Sequence, residues 1–493
     1  MANIRPSIEE FNGFTREGKY SVVPVSREIF SDIRTPMEVL NILKQVSRHV
    51  YLLESMEDSE KWGRYTFLGF EPALEFVCEN GNIRITAGTV LEIESGSPKQ
   101  YIRHILDENR SPKISYLPPF TGGLVGYFSY DYIKYSEPSL CLEGEDEEHF
   151  KDVDLMLFDK VIAFDNFRQK IVLIANAKVS EGEAGYRKAV MELESMGNLL
   201  QKTEPKKVES GRKTTEIRPL FNKVEYCRMV EKAKHYIYEG DIFQVVLSNR
   251  LEAEFEGSLM NTYRILRTTN PSPYMFYFSS DDLEIAGASP ETLVKVIDGT
   301  VHTFPLAGTR PRGKTEEEDL LLERELLADE KELAEHNMLV DLGRNDLGKI
   351  SSFGSVTVDK YMEIQRFSHV MHIGSTVKGE LKEGKTALDG VSAVLPAGTL
   401  SGAPKIRACE IIQELEQNKR GIYGGAVGYL DFTGNMDLCI AIRLAYKKNN
   451  KVFVRSGAGI VADSVAENEF EECMNKARAV LNALDLAEEG EGL

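Results

Sequence analysis

Two stretches set acidic residues at helical spacing. In "DEKELAEHNMLVDLG", Glu332 and Glu335 stand at i and i+3, beside an apolar face from Leu333, Met338, Leu339 and Leu342. In "SVAENEFEECMNKARAVLNAL", Glu469, Glu472 and Lys476 fall at i, i+3 and i+7 on one stripe, next to an apolar stripe of Phe470, Cys473, Ala477, Val480 and Leu484. Ser464 and Glu467 read as a capping box that opens this helix. Two helices that each offer paired carboxylates would make an all-oxygen site suited to Mg²⁺, which takes a few carboxylates plus water and substrate oxygens. Taken alone, a Glu pair on a helix is ordinarily a solvated face, and spacing leaves open whether the two helices meet.

Anion-holding elements surround them in the sequence. "AGTLSGAPKIRACEII" puts Ser401, Gly402 and Pro404 at the start of a helix, whose free N–H groups attract anions. "RSGAGIV" supplies Gly457 and Gly459, where backbone can approach a ligand closely. Arg443 in "AIRLA" is a lone cation in an apolar run, either ion-paired in the core or aimed at a carboxylate. His369 and His372 in "FSHVMHIGS" alternate with apolar residues, and each reads on spacing alone as a buried, hydrogen-bonded histidine.

"GTRPRGKT", Gly308 to Thr315, satisfies the pattern of a nucleotide phosphate loop between a strand-like and a helix-like run. Four features oppose that reading. Pro311 removes a backbone donor, and Arg310 and Arg312 put bulk where a phosphate nest needs small residues. Glu316, Glu317 and Glu318 follow Lys314 at once, and the downstream "NMLVD" sits in a helical pattern rather than a strand. A solvated loop capped at Thr315 is the plainer reading, with Gly308 and Thr309 as an anion-holding turn.

The elements that must position these residues are a mixture. Asn80-Gly81 and Asp165-Asn166 mark hairpins, whereas "TPMEVLNILKQVS" and "EGEAGYRKAVMELESMGNLLQ" have helical periodicity. Residues 202–216, "KTEPKKVESGRKTTE", form a polar stretch with no apolar face, which divides residues 1–201 from 217–493. Beyond it Asn222 and Glu225 form a capping box, and "IFQVVLS" reads as a buried strand. With no regular alternation of strand and helix, the expectation is an α+β fold with large antiparallel sheets. The chain has 493 residues and a formal net charge of -19, which opposes a nucleic-acid or anionic-membrane partner. Its six cysteines are scattered without a C-x-x-C pair, and no apolar run is long enough to span a membrane, so a cytoplasmic protein is expected.

"GASPETL", "PLAGTRPRG", "DEKELAEHNMLVDLGRNDLG", "FSHVMHIGS", "PAGTLSGAPK", "GIYGGAVGYL", "RSGAGIVADS" and "ENEFEECMNKA" occur in the order found in chorismate-utilising enzymes. The set most resembles the component I branch of anthranilate synthases, over about Asn222 to Leu484. The resemblance implies helices around a β-sandwich core, with Mg²⁺ and chorismate in a cleft of the C-terminal part. It assigns Glu335 and Glu472 to the metal, supported through water by Glu332 and Glu469. Tyr423, Arg443, Lys476, Gly457, Ala458 and Gly459 would hold the substrate carboxylates, with Gly308 and Thr309 lining the same pocket. Glu291 would be the general acid for the departing ring hydroxyl, His372 would assist the elimination, and Thr399 would contact the ring.

Members of this family differ in their nucleophile. Those that add water resemble one another in a lysine at the position of Gln244, and those making aminodeoxychorismate in a lysine at the position of Ala307. Glutamine and alanine can neither form an amine adduct nor deprotonate water, so the nucleophile must be external, and ammonia fits. The chain has no glutaminase motif, so the expected partner is a glutamine amidotransferase subunit (component II) in a heterotetramer. An aminodeoxychorismate synthase-like aminase and a non-catalytic ligand-binding regulator are the alternatives. "YLLES" and "NPSPYMFY" resemble the family's tryptophan feedback site, with Leu53, Glu54, Ser55, Pro273, Tyr274 and Met275, joined by Val427 and Tyr429, as its lining. There the slot would offer a carboxylate and a hydroxyl to the ligand's ammonium.

Overall fold

Alternation along the strands decides which faces are buried. In the strand Val50–Glu54, Val50 and Leu52 point into one core and Tyr51 into another. A strand buried on both faces needs a layer on each side, and the computed structural model, which describes residues 4–55, 63–366 and 370–490, supplies them. Among the described residues the strands form sheets of fourteen and twelve members. Tyr51, Phe67, Phe276, Phe278 and Tyr446 of the larger sheet meet Tyr127, Met156, Phe158, Val427 and Cys439 of the smaller in a shared core. Helices cover the outer faces, so the architecture is a β-sandwich of antiparallel ladders within an α+β fold.

Both sheets draw on both sides of the polar stretch. Strand Val50–Glu54 pairs with Tyr274–Ser279, placing Met275 opposite Glu54. Strand Gly123–Phe128 pairs with Ala426–Asp431, placing Tyr127 opposite Val427. The polar stretch itself adds a two-residue strand, Arg212–Lys213, to the edge of the long strand Gln244–Glu256.

Local signals explain most element ends. The helix Pro36–Val46 has Pro at its start and a Thr35–Glu38 capping box. Asn222 and Glu225 cap the helix Lys223–Tyr238 in the same reciprocal way. Asn80 and Gly81 both take positive φ, 48° and 82°, as a tight hairpin turn between antiparallel strands requires. The Ser464–Glu467 capping box does not form. The helix Ala466–Glu489 begins after Val465 without a side-chain cap, because the Ser464 hydroxyl turns back to accept from Val461 N at 3.1 Å.

Candidate active site

The floor of the site is the ladder between Gln244–Glu256 and Lys451–Ile460, with Val246 opposite Gly459 and Ser248 opposite Gly457. A Cβ on Gly459 would stand 2.8 Å from Gln244 Nε2, and one on Gly457 2.6 Å from the Leu247 carbonyl and 3.0 Å from the Tyr423 hydroxyl. Glycine is what lets Gln244 and Tyr423 lie against this floor. Gln244 is buried, and its amide reaches Glu335 Oε1 at 3.4 Å, which ties the floor to the first carboxylate helix, Glu330–Gly348.

Glu291 sits in the turn between the strands Leu283–Ser289 and Thr292–Ile297. Its amide donates to Ser289 Oγ at 3.3 Å, its carbonyl accepts from Ile440 N at 2.9 Å, and Thr399 Oγ1 donates to its Oε2 at 3.1 Å. Burial raises its pKa, opposed by the Thr399 hydrogen bond and the charges of Lys476 and Arg443. The direction is the one a proton donor needs.

His372 lies on the strand Val370–Glu380. Its Nδ1 lies 2.9 Å from the Gly308 carbonyl and 3.1 Å from Thr309 Oγ1. A carbonyl only accepts, so Nδ1 carries the proton and Nε2 keeps the lone pair. Burial lowers this imidazole's pKa, so it is neutral at pH 7. The carbonyl is aimed by a bulge: the pairing slips between Ala307 and Thr309, and Gly308 adopts φ +69°. A Cβ there would also stand 3.2 Å from Glu332 Oε2, so this turn packs directly on the carboxylate helix.

Within each acidic pair the neighbouring carboxylate works against ionisation. Burial, then Glu335 and Asp329, raise the pKa of Glu332. Glu469 on the second carboxylate helix, Ala466–Glu489, is raised by burial and by Glu472, against Ser464, Lys476 and Lys331. Lys331 belongs to the first helix, so the two helices lie within each other's field. Lys476 and Glu472 pair at 2.7 Å one turn apart. Among the described residues no three carboxylate, imidazole or thiol groups form a closed protein cage for a metal. Mg²⁺ is ordinarily held by one or two carboxylates with waters and substrate oxygens, so the pairs fit it in donor chemistry.

Arg443 resolves the alternative left open by its sequence. It takes part in no ion pair among the described residues, and with Glu472 and Lys476 it lines a cavity of about 420 Å³. Burial lowers its pKa, against Glu291 and Tyr423. Asn468 and Asn475 also line this cavity. Sequence reasoning passed them over, although they share the helical spacing of Glu472 and Lys476.

It also missed a buried ionic cluster beneath the floor. Glu416 accepts from Ser248 N at 2.7 Å and pairs with Arg420 at 2.5 Å and Arg455 at 2.7 Å. Arg420 further donates to the carbonyls of Leu400, at 2.6 Å, and Val246, at 2.7 Å, fixing the segments that carry Thr399 and Gln244. The i, i+4 spacing of Glu416 and Arg420 was the available signal.

The description of chorismate binding enzymes as a family matches residues 48–482. The chain belongs to that family. Over 98% of its length it is 46% identical to anthranilate synthase component 1 of Acetivibrio thermocellus, covering 99% of that protein. It is 45% identical to the Aquifex aeolicus protein of the same name over 99% of both chains. Among solved structures, anthranilate synthase component I from Streptococcus pneumoniae superposes with a TM-score of 0.74 at 39% identity, covering 92% of this chain and 98% of that one. An isochorismate synthase from Escherichia coli, MenF, shares the fold at 19% identity and TM-score 0.69, covering 97% of this chain and 99% of that one.

In this chorismate binding enzyme, Gly308–Thr315 is no nucleotide loop. Residues Leu306–Pro311 are strand, and the amides after them are taken by the chain's own carboxylates: Gly313 N by Asp319 at 2.5 Å and Lys314 N by Glu318 at 2.7 Å. Arg312 pairs with the same Asp319, and Thr315 caps the helix Glu316–Ala328. His369 lies outside the described residues.

A second cavity, of about 320 Å³, lies inside the sandwich. Leu53, Glu54, Ser55, Pro273, Tyr274, Met275, Val427 and Tyr429 all line it, with Phe67, Lys295 and Asp437 among the others. The expected role of the Glu54 carboxylate is overturned. Glu54 faces the opposite side of its strand, where Arg267 pairs with it at 2.6 Å and the Tyr263 hydroxyl donates at 2.7 Å. Strand alternation sends Leu53 toward the shared core and the Glu54 carboxylate away from it, so Glu54 offers the cavity its main chain. The acidic group near the cavity is Asp437, paired with Lys295 at 2.6 Å. Among the described residues no helix is long and apolar enough to cross a membrane.

Proposed function

We propose that the chain is the chorismate-converting component of an anthranilate synthase, joining chorismate and ammonia to give anthranilate, pyruvate and water. The observation that carries this reading is the neutral Gln244 amide beside Glu335, with Ala307 at the other family nucleophile position. Neither residue supplies an amine or a base for water, so an external nucleophile is required.

Arg443, Lys476, Tyr423 and the Gly457–Gly459 backbone bind the substrate carboxylates and orient the ring. Ammonia adds at C2 as the C4 hydroxyl departs, with Glu291 delivering the proton that makes it water. The new ammonium gives a proton back to the Glu291 carboxylate, and the C2 proton leaves to Nε2 of His372. The enolpyruvyl C–O bond breaks to make the ring aromatic, and the departing enolpyruvate takes up the proton from His372 and becomes pyruvate. Glu335 and Glu472, with Glu332 and Glu469 through water, would hold Mg²⁺. That ion would supply positive charge opposite the ring carboxylate.

Free ammonia is scarce at neutral pH, so a glutamine amidotransferase subunit, component II, delivers it in a heterotetramer. The second cavity is read as a tryptophan feedback site, and its apolar walls with a polar rim support that reading. Product analysis tests the catalytic part directly. The chain with chorismate, MgCl₂ and an ammonium salt should release anthranilate and pyruvate in equal amounts. Isochorismate or aminodeoxychorismate as the end product would overturn it.

A further inference from the structure

One residue grips the segment that carries Glu291 at two points, and that residue also lines the second cavity. Tyr274 pairs through its backbone with Ser289. Its phenol oxygen lies 2.9 Å from Thr292 Oγ1 and donates to Asp437 Oδ1 at 2.8 Å. A phenol has one proton, and a carboxylate only accepts. The proton therefore goes to Asp437, and Thr292 donates to the phenol oxygen. Asp437 is fixed in turn by Lys295. The result is a directed chain, Thr292 to Tyr274 to Asp437, whose first member is bonded covalently to Glu291. Ser289, on the other side, holds the Glu291 amide through its hydroxyl.

The ladder of the Glu291 segment with Met436–Ile440 slips register between Thr292 and Val294, a bulge that bends the strand next to Glu291. Glu291 is otherwise held by the Thr399 hydroxyl and by Ile440 N of the neighbouring strand.

We propose that the Tyr274–Thr292 hydrogen bond is the contact through which a ligand in the second cavity alters the position of Glu291. The proposal rests on the reading of that cavity as a tryptophan site. A ligand shifts an equilibrium only by its differential affinity for two arrangements. A ligand favoured by a rotated Tyr274 would break the bonds to Thr292 and Asp437 together and release the segment beside the acid. Displacing a catalytic group by about 1 Å can cost roughly a hundredfold in rate, so a small movement suffices for inhibition.

The test separates binding from coupling. Thr292→Val removes the hydroxyl at nearly constant shape and leaves the cavity lining intact, and Thr292→Ser restores the hydroxyl. Tryptophan binding is measured by calorimetry without chorismate, and kcat/KM for chorismate is measured with and without saturating tryptophan. The wild-type chain should bind tryptophan and lose at least about tenfold in kcat/KM, while Thr292→Val should bind within about threefold of wild type yet lose less than about threefold. Thr292→Ser should recover the wild-type response. Equal inhibition of Thr292→Val and wild type at saturation overturns the coupling alone. A wild-type chain that binds no tryptophan overturns the feedback reading and the coupling with it. Should a thermal melt show Thr292→Val unfolded, Tyr274→Phe breaks the same bond from the other side. Its inhibition at saturation, compared after correction for its own affinity, then decides.

Discussion

Gln244→Lys puts the metal assignment under a direct electrostatic perturbation. The glutamine amide lies 3.4 Å from Glu335 Oε1, so a lysine ammonium in its place would meet that carboxylate. At an effective dielectric of about 20, opposite unit charges at this separation attract by roughly 5 kcal/mol. Desolvation of the buried ammonium opposes this by several kcal/mol, leaving a net of about 1.4 to 2.8 kcal/mol. A metal that uses Glu335 must displace the ammonium, so the Mg²⁺ concentration giving half-maximal rate should rise by roughly ten- to a hundredfold. The assay is anthranilate fluorescence against MgCl₂ at fixed pH with excess ammonium chloride. Gln244→Met, similar in length and uncharged, is the control, and its half-saturation should move less than about threefold. Equal half-saturation in wild type and Gln244→Lys would refute the electrostatic reasoning. Equal rises in both variants would show that packing, not charge, sets the requirement.

Four further outcomes are expected. Glu291→Gln keeps the shape but lacks the acidic proton, so kcat should fall roughly 10²- to 10⁴-fold with little change in chorismate KM; a fall under threefold would remove the general-acid role. Glu472→Gln should lose Mg²⁺-dependent turnover, and full wild-type activity in excess chelator would remove the metal from the scheme. His372 must be neutral to accept a proton, and burial holds its pKa below the ordinary imidazole range of about 6.5. The acidic limb of the kcat profile should therefore lie below that pH, and a limb above it would contradict the assignment. Ser55→Phe fills part of the second cavity and should relieve tryptophan inhibition without lowering the uninhibited rate; inhibition at an unchanged concentration would count against the feedback site.

Signals contained within a few neighbouring residues were legible in advance. The Asn222–Glu225 cap, the Asn80-Gly81 turn and the helices carrying the Glu pairs all depend on contacts three or four residues apart. Ser464 broke the rule because its hydroxyl accepts from Val461 N instead. The nucleotide-loop reading of Gly308–Thr315 was already opposed by Pro311, the flanking arginines and the acidic run, and the structure agrees, with Asp319 and Glu318 consuming the loop's amides and Thr315 capping the helix.

The sequence by itself determined the chemical inventory: the acid, the imidazole, the paired carboxylates, the glycines and the absence of a lysine at positions 244 and 307. Helical and strand periods also set which side of each element those groups occupy. Only the tertiary structure decided which groups meet. It placed Thr399 on Glu291, Gln244 on Glu335 and Gly308 on His372, pairs separated by 108, 91 and 64 positions. It also turned the Glu54 carboxylate onto Arg267, and it put Tyr274 between a cavity and the segment that carries Glu291. The physical reason is that side-chain periodicity is local, whereas contact across a sandwich depends on strand order and register. Those follow from burying both faces of two sheets at once.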